Sequence, residues 1–280
     1  MTVGIFLMQK DEFELFPLFI KYYSSLVGYN NIFVFDNGSS KEMSPLLTDA
    51  INLGVHVDFT YTSKECFENK GRILEEKMRL LANDYDVCIP LDCDEFIALE
   101  TSPDIFTFDK DMIIGYLKSL DNGIFKLKSG NRFRNSITDY TKFYKFYGHT
   151  KLFSKNCTLT NLSLGFDVCS DSANATPSSL CYFELHNKPF NLFYKHSISK
   201  MKNRADLDNS SELKRYEGRG RHLIKYLCEG GKELYYRDLH SKAYITVLGL
   251  KNSFDRLGIK VPEYLIEDSQ ELSNYGKSFI

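Results

Sequence analysis

Val87-Cys88-Ile89-Pro90-Leu91-Asp92-Cys93-Asp94-Glu95-Phe96 sets a short apolar run directly against an acidic cluster. The apolar half, Val87 to Leu91, has the length and composition of a buried strand. Going back from it, Lys70 to Asn83 has helical composition, Val55-His56-Val57-Asp58-Phe59 reads as a strand, and Ser44 to Leu53 as a helix. Asn31 to Phe35 is another strand and ends at a polar turn, Asp36-Asn37-Gly38-Ser39-Ser40. Before it, Phe13, Leu15, Phe16, Leu18, Phe19, Tyr22, Tyr23 and Leu26 recur at helical spacing, with Gly28 as the stop. Val3 to Met8 is the first strand, and Lys10-Asp11-Glu12 follows it. Strand and helix thus alternate four times over about 95 residues. That order predicts an α/β, Rossmann-like domain, a mostly parallel sheet with helices on both faces. In such sheets ligands bind at the carboxyl ends of the strands, and Asp11, Asp36 and Asp92 each fall just past one.

Beyond Phe96 the pattern is mixed. Strand-like stretches at 123–128, 143–147, 150–154, 180–185 and 190–195 alternate with irregular loops, among them Asp167 to Ser179. From Lys200 the chain is polar and helical, and Lys242 to Leu257 is its clearest amphipathic stretch. The expected organisation is a catalytic domain over 1–204, with a nucleotide-binding half (1–100) and an acceptor-side half (101–204). A helical C-terminal extension, 205–280, packs on it.

The chain has 280 residues, enough for a substantial core. Lys+Arg number 35 against 37 Asp+Glu, a net charge of -2 that argues against a nucleic-acid partner. The seven cysteines form no CxxC pair, so reduced thiols in a cytoplasmic protein are expected rather than a zinc site. Thr2 to Met8 is too short for a signal sequence, and no apolar run approaches the ~20 residues of a spanning helix. Any membrane association is then peripheral, at the inner face of the cytoplasmic membrane.

Asp92 and Asp94, two residues apart beside a tight turn, can converge on one hard divalent cation such as Mn²⁺ or Mg²⁺. Such an ion would neutralise charge on a departing diphosphate. The competing reading is a solvated acidic loop, and position after a fourth α/β strand favours the site. For Asp36-Asn37-Gly38-Ser39 the competing reading is a turn that caps a helix without a ligand. Asn69-Lys70-Gly71-Arg72 opens a helix, where Gly71 permits close backbone approach and Lys70 or Arg72 can meet a phosphate.

Lys10-Asp11-Glu12, Phe35-Asp36-Asn37-Gly38-Ser39-Ser40 and Leu91-Asp92-Cys93-Asp94-Glu95-Phe96, taken jointly, resemble the family-2-like glycosyltransferases of the GT-A fold. The resemblance covers about the first 100 residues well and the rest in patches. It implies transfer of a sugar from a nucleotide-diphosphate sugar to an acceptor hydroxyl on a glycan or glycolipid, such as a surface polysaccharide or lipopolysaccharide. Lys10, Asp11 and Asp36 would line the nucleotide end, and Asp92 and Asp94 the metal and diphosphate, with Asp94 the more direct ligand. Glu95 would orient them or touch the sugar, and Asn69-Lys70-Gly71-Arg72 would lie near the donor. The resemblance also makes His196 a further metal ligand and Lys200 a cation facing the diphosphate, while Lys151 matches a family lysine of no derivable role. A catalytic base is harder to read: Asp139, Asp167, Asp171 and Glu184 are candidates, and Asp167, after Gly165-Phe166, is favoured. Two alternatives remain. A sugar-nucleotide nucleotidyltransferase would carry a glycine-rich loop after the first strand, which Met8 to Glu12 lacks. A non-catalytic nucleotide- or glycan-binding module would not need Asp92, Asp94 and Glu95 intact.

Overall fold

The computed structural model describes residues 1–127, 132–148, 150–202, 204–207, 209, 213, 215–218, 220–228 and 230–267. In chain order its elements begin β1 (Val3–Gln9), α1 (Phe16–Val27), β2 (Ile32–Asp36), α2 (Ser44–Asn52), β3 (His56–Asp58), α3 (Lys64–Glu68), α4 (Lys70–Leu80) and β4 (Val87–Leu91). There follow β5 (Glu95–Ser102), β6 (Ile105–Thr107), α5 (Lys110–Ser119), β7 (Gly123–Lys126), β8 (Arg132–Asn135), β9 (Lys142–Phe146), β10 (Leu152–Lys155), β11 (Thr176–Pro177) and β12 (Leu180–Glu184). The chain continues through α6 (Phe190–Met201), α7 (Arg221–Leu227), α8 (Gly231–His240), β13 (Tyr244–Thr246) and α9 (Leu248–Arg256).

These elements gather into two compact units. Of the described residues, the first holds those within 1–134, 145–184 and 247–261, and the second those within 135–144, 185–246 and 262–267. The division therefore does not run at residue 204: α6 belongs with the second unit, and α9 returns to the first.

The first unit is built on a sheet ordered β11-β7-β10-β4-β1-β2-β3. β4, β1, β2 and β3 are parallel neighbours, whereas β10 runs antiparallel between β4 and β7. Alternation along the strands supplies both faces. Phe6, Met8, Phe33, Phe35 and Cys88 pack with Leu74 and Met78 of α4, while α1 packs against β1 and β2. The expected mostly parallel sheet with helices on both faces is what the structure has. Local signals set the element ends. A proline lies in the first turn of α1, Gly28 breaks that helix at φ 90, and Asp109 caps α5 by accepting from Met112 N.

A second group of strands in this unit runs β8-β12-β5-β6. Tyr182 and Glu184 of β12 lie opposite Ile97 and Glu95 on one side, and opposite Arg132 and Arg134 on the other. Their alternates, Phe96, Phe133 and Phe183, are fully buried. Phe133 and Phe183 stack at 4.7 Å, and Phe106 meets both edge-on. One face is therefore aromatic and the other charged. Helix α1 braces this group: Tyr22 Oη donates to Ile97 O at 2.6 Å, and Tyr23 Oη donates to Glu95 O and accepts from Ile97 N.

In the second unit, Asn135 and Asn187 exchange three hydrogen bonds. Phe190 and Phe193 of α6 pack on Tyr235 of α8, whose hydroxyl donates to Lys188 O. This corrects the strand expected at 190–195. Its aromatic residues suit a strand, but Phe190, Phe193 and Tyr194 also recur at helical spacing and pack so. The amphipathic stretch at 242–257 likewise divides into β13, paired antiparallel with β9, and the shorter α9. Among the described residues, no helix is long and apolar enough to cross a membrane.

Candidate active site

The carboxyl ends of β4, β1 and β2 lie side by side, so the Asp92 and Asp36 turns are two strand spacings, about 10 Å, apart. At the β2 end, Gln9 and Asp36 are register partners. Gln9 Nε2 donates to Asp36 Oδ1 at 2.5 Å, Ser39 Oγ donates to the same oxygen, and Ser39 N donates to Oδ2 at 3.0 Å. Asp11, at φ 53, accepts from Ser40 N at 2.7 Å and donates its own N–H to Ser39 Oγ. Asn37 Nδ2 donates to Tyr61 O and Ser63 O, tying in the chain after β3. Asp36 is 4% exposed. Both of its oxygens serve this turn, and Asp11 locks the facing loop. The helix starts that follow the turn take no side-chain cap from it, and Lys10 is exposed beside it.

At the β4 end, Lys70 Nζ lies 2.6 Å from Asp92 Oδ1, and Lys151 Nζ lies 2.5 Å from Asp92 Oδ2 and 2.9 Å from Glu95 Oε2. Glu95 Oε2 also accepts the Asp92 N–H at 2.7 Å and so braces the turn from beneath. Lys70 comes from the first residue of α4, and Lys151 from the residue before β10. Burial opposes the Asp92 charge, but the Lys151 and Lys70 ammonium groups outweigh it and hold that carboxyl well below the usual range. Burial, with Asp92, Asp94 and Glu184 nearby, pushes Glu95 up to about 8 against the pull of Lys151. Lys151 is itself buried, yet Asp92 and Glu95 raise it above an ordinary lysine.

The charged face of β8-β12-β5 continues this cluster. Glu184, 2% exposed on its side chain, receives Arg132 at 2.6 Å on Oε1 and Arg134 at 2.7 Å on Oε2. The Arg134 guanidinium lies 3.7 Å from the centre of the Phe146 ring. A carboxylate oxygen of Asp94, which is half-buried, lies within 4.8 Å of one of Glu184. Tyr182 Oη, on the same face, is buried with no hydrogen-bond partner among the described residues.

Of the two aspartates expected to share a metal, Asp92 faces Lys70 and Lys151, and Asp94 has a carboxylate oxygen within 4.8 Å of one of Glu184. Glu184 is turned to two arginines. Lys70 meets Asp92 rather than standing open to a phosphate, and Arg72 is exposed on α4. Gly71 does permit a close approach, but to the protein's own loop. A Cβ there would lie 2.1 Å from Ser163 O and 2.3 Å from Leu162 O. Asp167 accepts from Ser163 Oγ at 2.5 Å and closes that loop on itself, and Asp139 accepts from Thr141 in the same local manner. His196 and Lys200 lie on α6, in the second unit, where Lys188 Nζ is 3.3 Å from His196 Nδ1. Burial, together with Lys188, Lys200 and Lys195, pushes His196 down to about 4, so the imidazole is neutral near pH 7.

Arg132, Arg134 and Tyr182 escaped the sequence reading, and Lys151 entered it without a role. Their one local signal is the Arg132-Phe133-Arg134 alternation, which marks a strand with one charged face.

No family model matches the chain. Comparison with curated proteins finds no relative. Among solved structures, the chain is similar to TarS 1-349 of S. aureus, with TM-score 0.42 and 9% identity over 98% of this chain and 89% of that one. The same TarS segment in complex with UDP gives TM-score 0.42 and 8% identity over 85% and 72%. A mannose-1-phosphate geranyltransferase from Thermus thermophilus gives TM-score 0.30 and 8% identity over 96% and 72%.

Proposed function

We propose that this chain is a glycosyltransferase that moves a sugar from a nucleotide-diphosphate sugar to an acceptor hydroxyl of a glycan or glycolipid. The observation that carries this reading is the Asp92–Glu95 turn, set at the carboxyl edge of parallel strands and held by Lys70 and Lys151. Open α/β sheets bind nucleotides at that edge. The Lys70 and Lys151 ammonium groups, buried against Asp92, are the cations that a diphosphate at this turn would draw away from that carboxylate. Asp94, half-buried in the same turn with a carboxylate oxygen within 4.8 Å of one of Glu184, is the carboxylate that would hold a Mn²⁺ or Mg²⁺ ion. The orphaned Tyr182 hydroxyl fits a polar group arriving at the same face. Such an ion supplies neutralisation of the leaving nucleoside diphosphate. Glu95, buried beneath the turn, orients Asp92 and does not reach outward.

The test is a panel of UDP-, GDP- and dTDP-sugars, scored by thermal shift with and without Mn²⁺ and by release of nucleoside diphosphate. One donor should stabilise the fold by mass action. Asp94→Asn should abolish turnover while leaving the urea midpoint near wild type. Absence of stabilisation and of diphosphate release across the panel would overturn the reading.

A further inference from the structure

Phe166 occupies a backbone region that bulky residues avoid. Its φ is 60, and it is 0% exposed. Such a conformation persists only where its surroundings over-determine it, and here they do. Phe166 O accepts from Leu152 N at 2.7 Å, and Phe166 N donates to Ser163 O at 3.0 Å. Ser163 Oγ then donates to Asp167 Oδ1 and accepts the N–H groups of Asp167 and Val168.

Two of these ties fall beside the two lysines. Leu152 is the residue after Lys151, and Gly71, whose missing Cβ admits Ser163 O, is the residue after Lys70. The ring held in this way has its centre 4.5 Å from Lys151 Nζ and 4.7 Å from Lys70 Nζ. Two ammonium groups on opposite oxygens of one carboxylate repel each other, and an aromatic face attracts both. We propose that Phe166 is a positioning residue, the shared seat that aims the Lys70 and Lys151 ammonium groups at Asp92. Leucine would fill much of the same volume but offers no π-face. The seat stands on geometry alone, whereas its consequence for donor binding rests on the glycosyltransferase reading.

The experiment is competitive acylation of the intact protein with a limiting amine-reactive ester, resolved by residue with mass spectrometry against exposed Lys10. In the wild type, Lys70 and Lys151 should react far more slowly than Lys10. Phe166→Leu should raise both rates about threefold to fivefold, the loss expected for one cation–π contact apiece. Phe166→Tyr should restore protection. Unchanged lysine rates in a folded Phe166→Leu protein, or Phe166→Tyr reacting like Phe166→Leu, would overturn the proposal. Should Phe166→Leu not fold, the wild type decides by NMR. The ε-methylene resonances of both lysines, assigned with Lys70→Arg and Lys151→Arg, must be shifted upfield by the ring, and ordinary positions refute the seat. UDP-glucose and UDP-N-acetylglucosamine, added to the same proteins, should shift the melting temperature less in Phe166→Leu than in Phe166→Tyr. If no nucleotide sugar in the panel binds the wild type, the functional reading fails while the lysine measurements still judge the seat.

Discussion

Replacing Lys151 by methionine keeps side-chain length and removes one charge from the most crowded point of the site. Lys151 bridges Asp92 at 2.5 Å and Glu95 at 2.9 Å, and its side chain is 5% exposed. Removing one partner from a buried ion pair costs about 3–5 kcal/mol, because the partner left behind has lost its counter-charge. Two features place this case at the low end. Asp92 keeps Lys70 at 2.6 Å, and its side chain is 35% exposed, so water reaches it. Glu95 keeps the Asp92 N–H and, already pushed up to about 8, can take a proton instead of standing charged. The expected loss is therefore about 3 kcal/mol at pH 7, or roughly 6–12 °C in Tm for a chain of this size. Urea denaturation measures it directly, and an unchanged m-value shows that the transition is still the same one. A loss below about 1 kcal/mol would refute the bridge.

Other perturbations probe the neighbouring parts. Asp36→Ala strands Ser39 N, leaves Gln9 Nε2 with Ser39 Oγ alone and should cost about 1–3 kcal/mol in urea denaturation; a neutral result would mean that the turn is not locked this way. Gly71→Ala should gain about 1 kcal/mol of helix propensity, yet the loop must retreat by roughly 1 Å, so a net loss of about 1–2 kcal/mol is expected. It should also speed proteolysis within 157–175, and a raised urea midpoint would contradict the close approach. His196, pushed down to about 4 from 6.5, binds its proton later than the unfolded chain does. As pH falls from about 6.5 towards 4 in chelator-treated buffer, the wild type should therefore lose stability relative to His196→Gln. Parallel pH profiles for the two proteins would refute that burial.

Much of the fold was legible because its first half obeys local rules. Val3–Gln9, Ile32–Asp36 and Val87–Leu91 are short, fully buried runs, and the helix before Gly28 has the right period. Element type is less local in the second half. Phe190-Asn191-Leu192-Phe193-Tyr194 carries strand-forming residues, and only packing on Tyr235 decides for the helix. The site divides in the same way. Asp92, Asp94 and Glu95 stand together in sequence, so they could be read. Their counter-charges could not, since Lys70 is 22 residues from Asp92, Lys151 is 59 away, and Arg132 and Arg134 are 52 and 50 residues from Glu184. Nothing periodic marks such pairs, because the strand order brings them together. The Asp167 carboxylate accepts from Ser163 within its own loop, while the neighbouring Phe166 turns inward to the lysines, a contact that no sequence pattern marks.

The charges of this cluster bear on what it can receive. Asp92, Glu95 and Glu184 stand against Lys70, Lys151, Arg132 and Arg134. Every cation that turns from this set towards a bare dianion leaves a carboxylate behind without its partner. A diphosphate arriving with a divalent ion brings no net charge. Lys70 and Lys151 could then move from Asp92 to phosphate oxygens while the ion takes Asp94. In the glycosyltransferase proposed above, Asp94 would face the ion and Asp92 would keep the lysines, so recognition of the donor would turn on the pairing Lys70–Asp92–Lys151 as well as on the acidic motif.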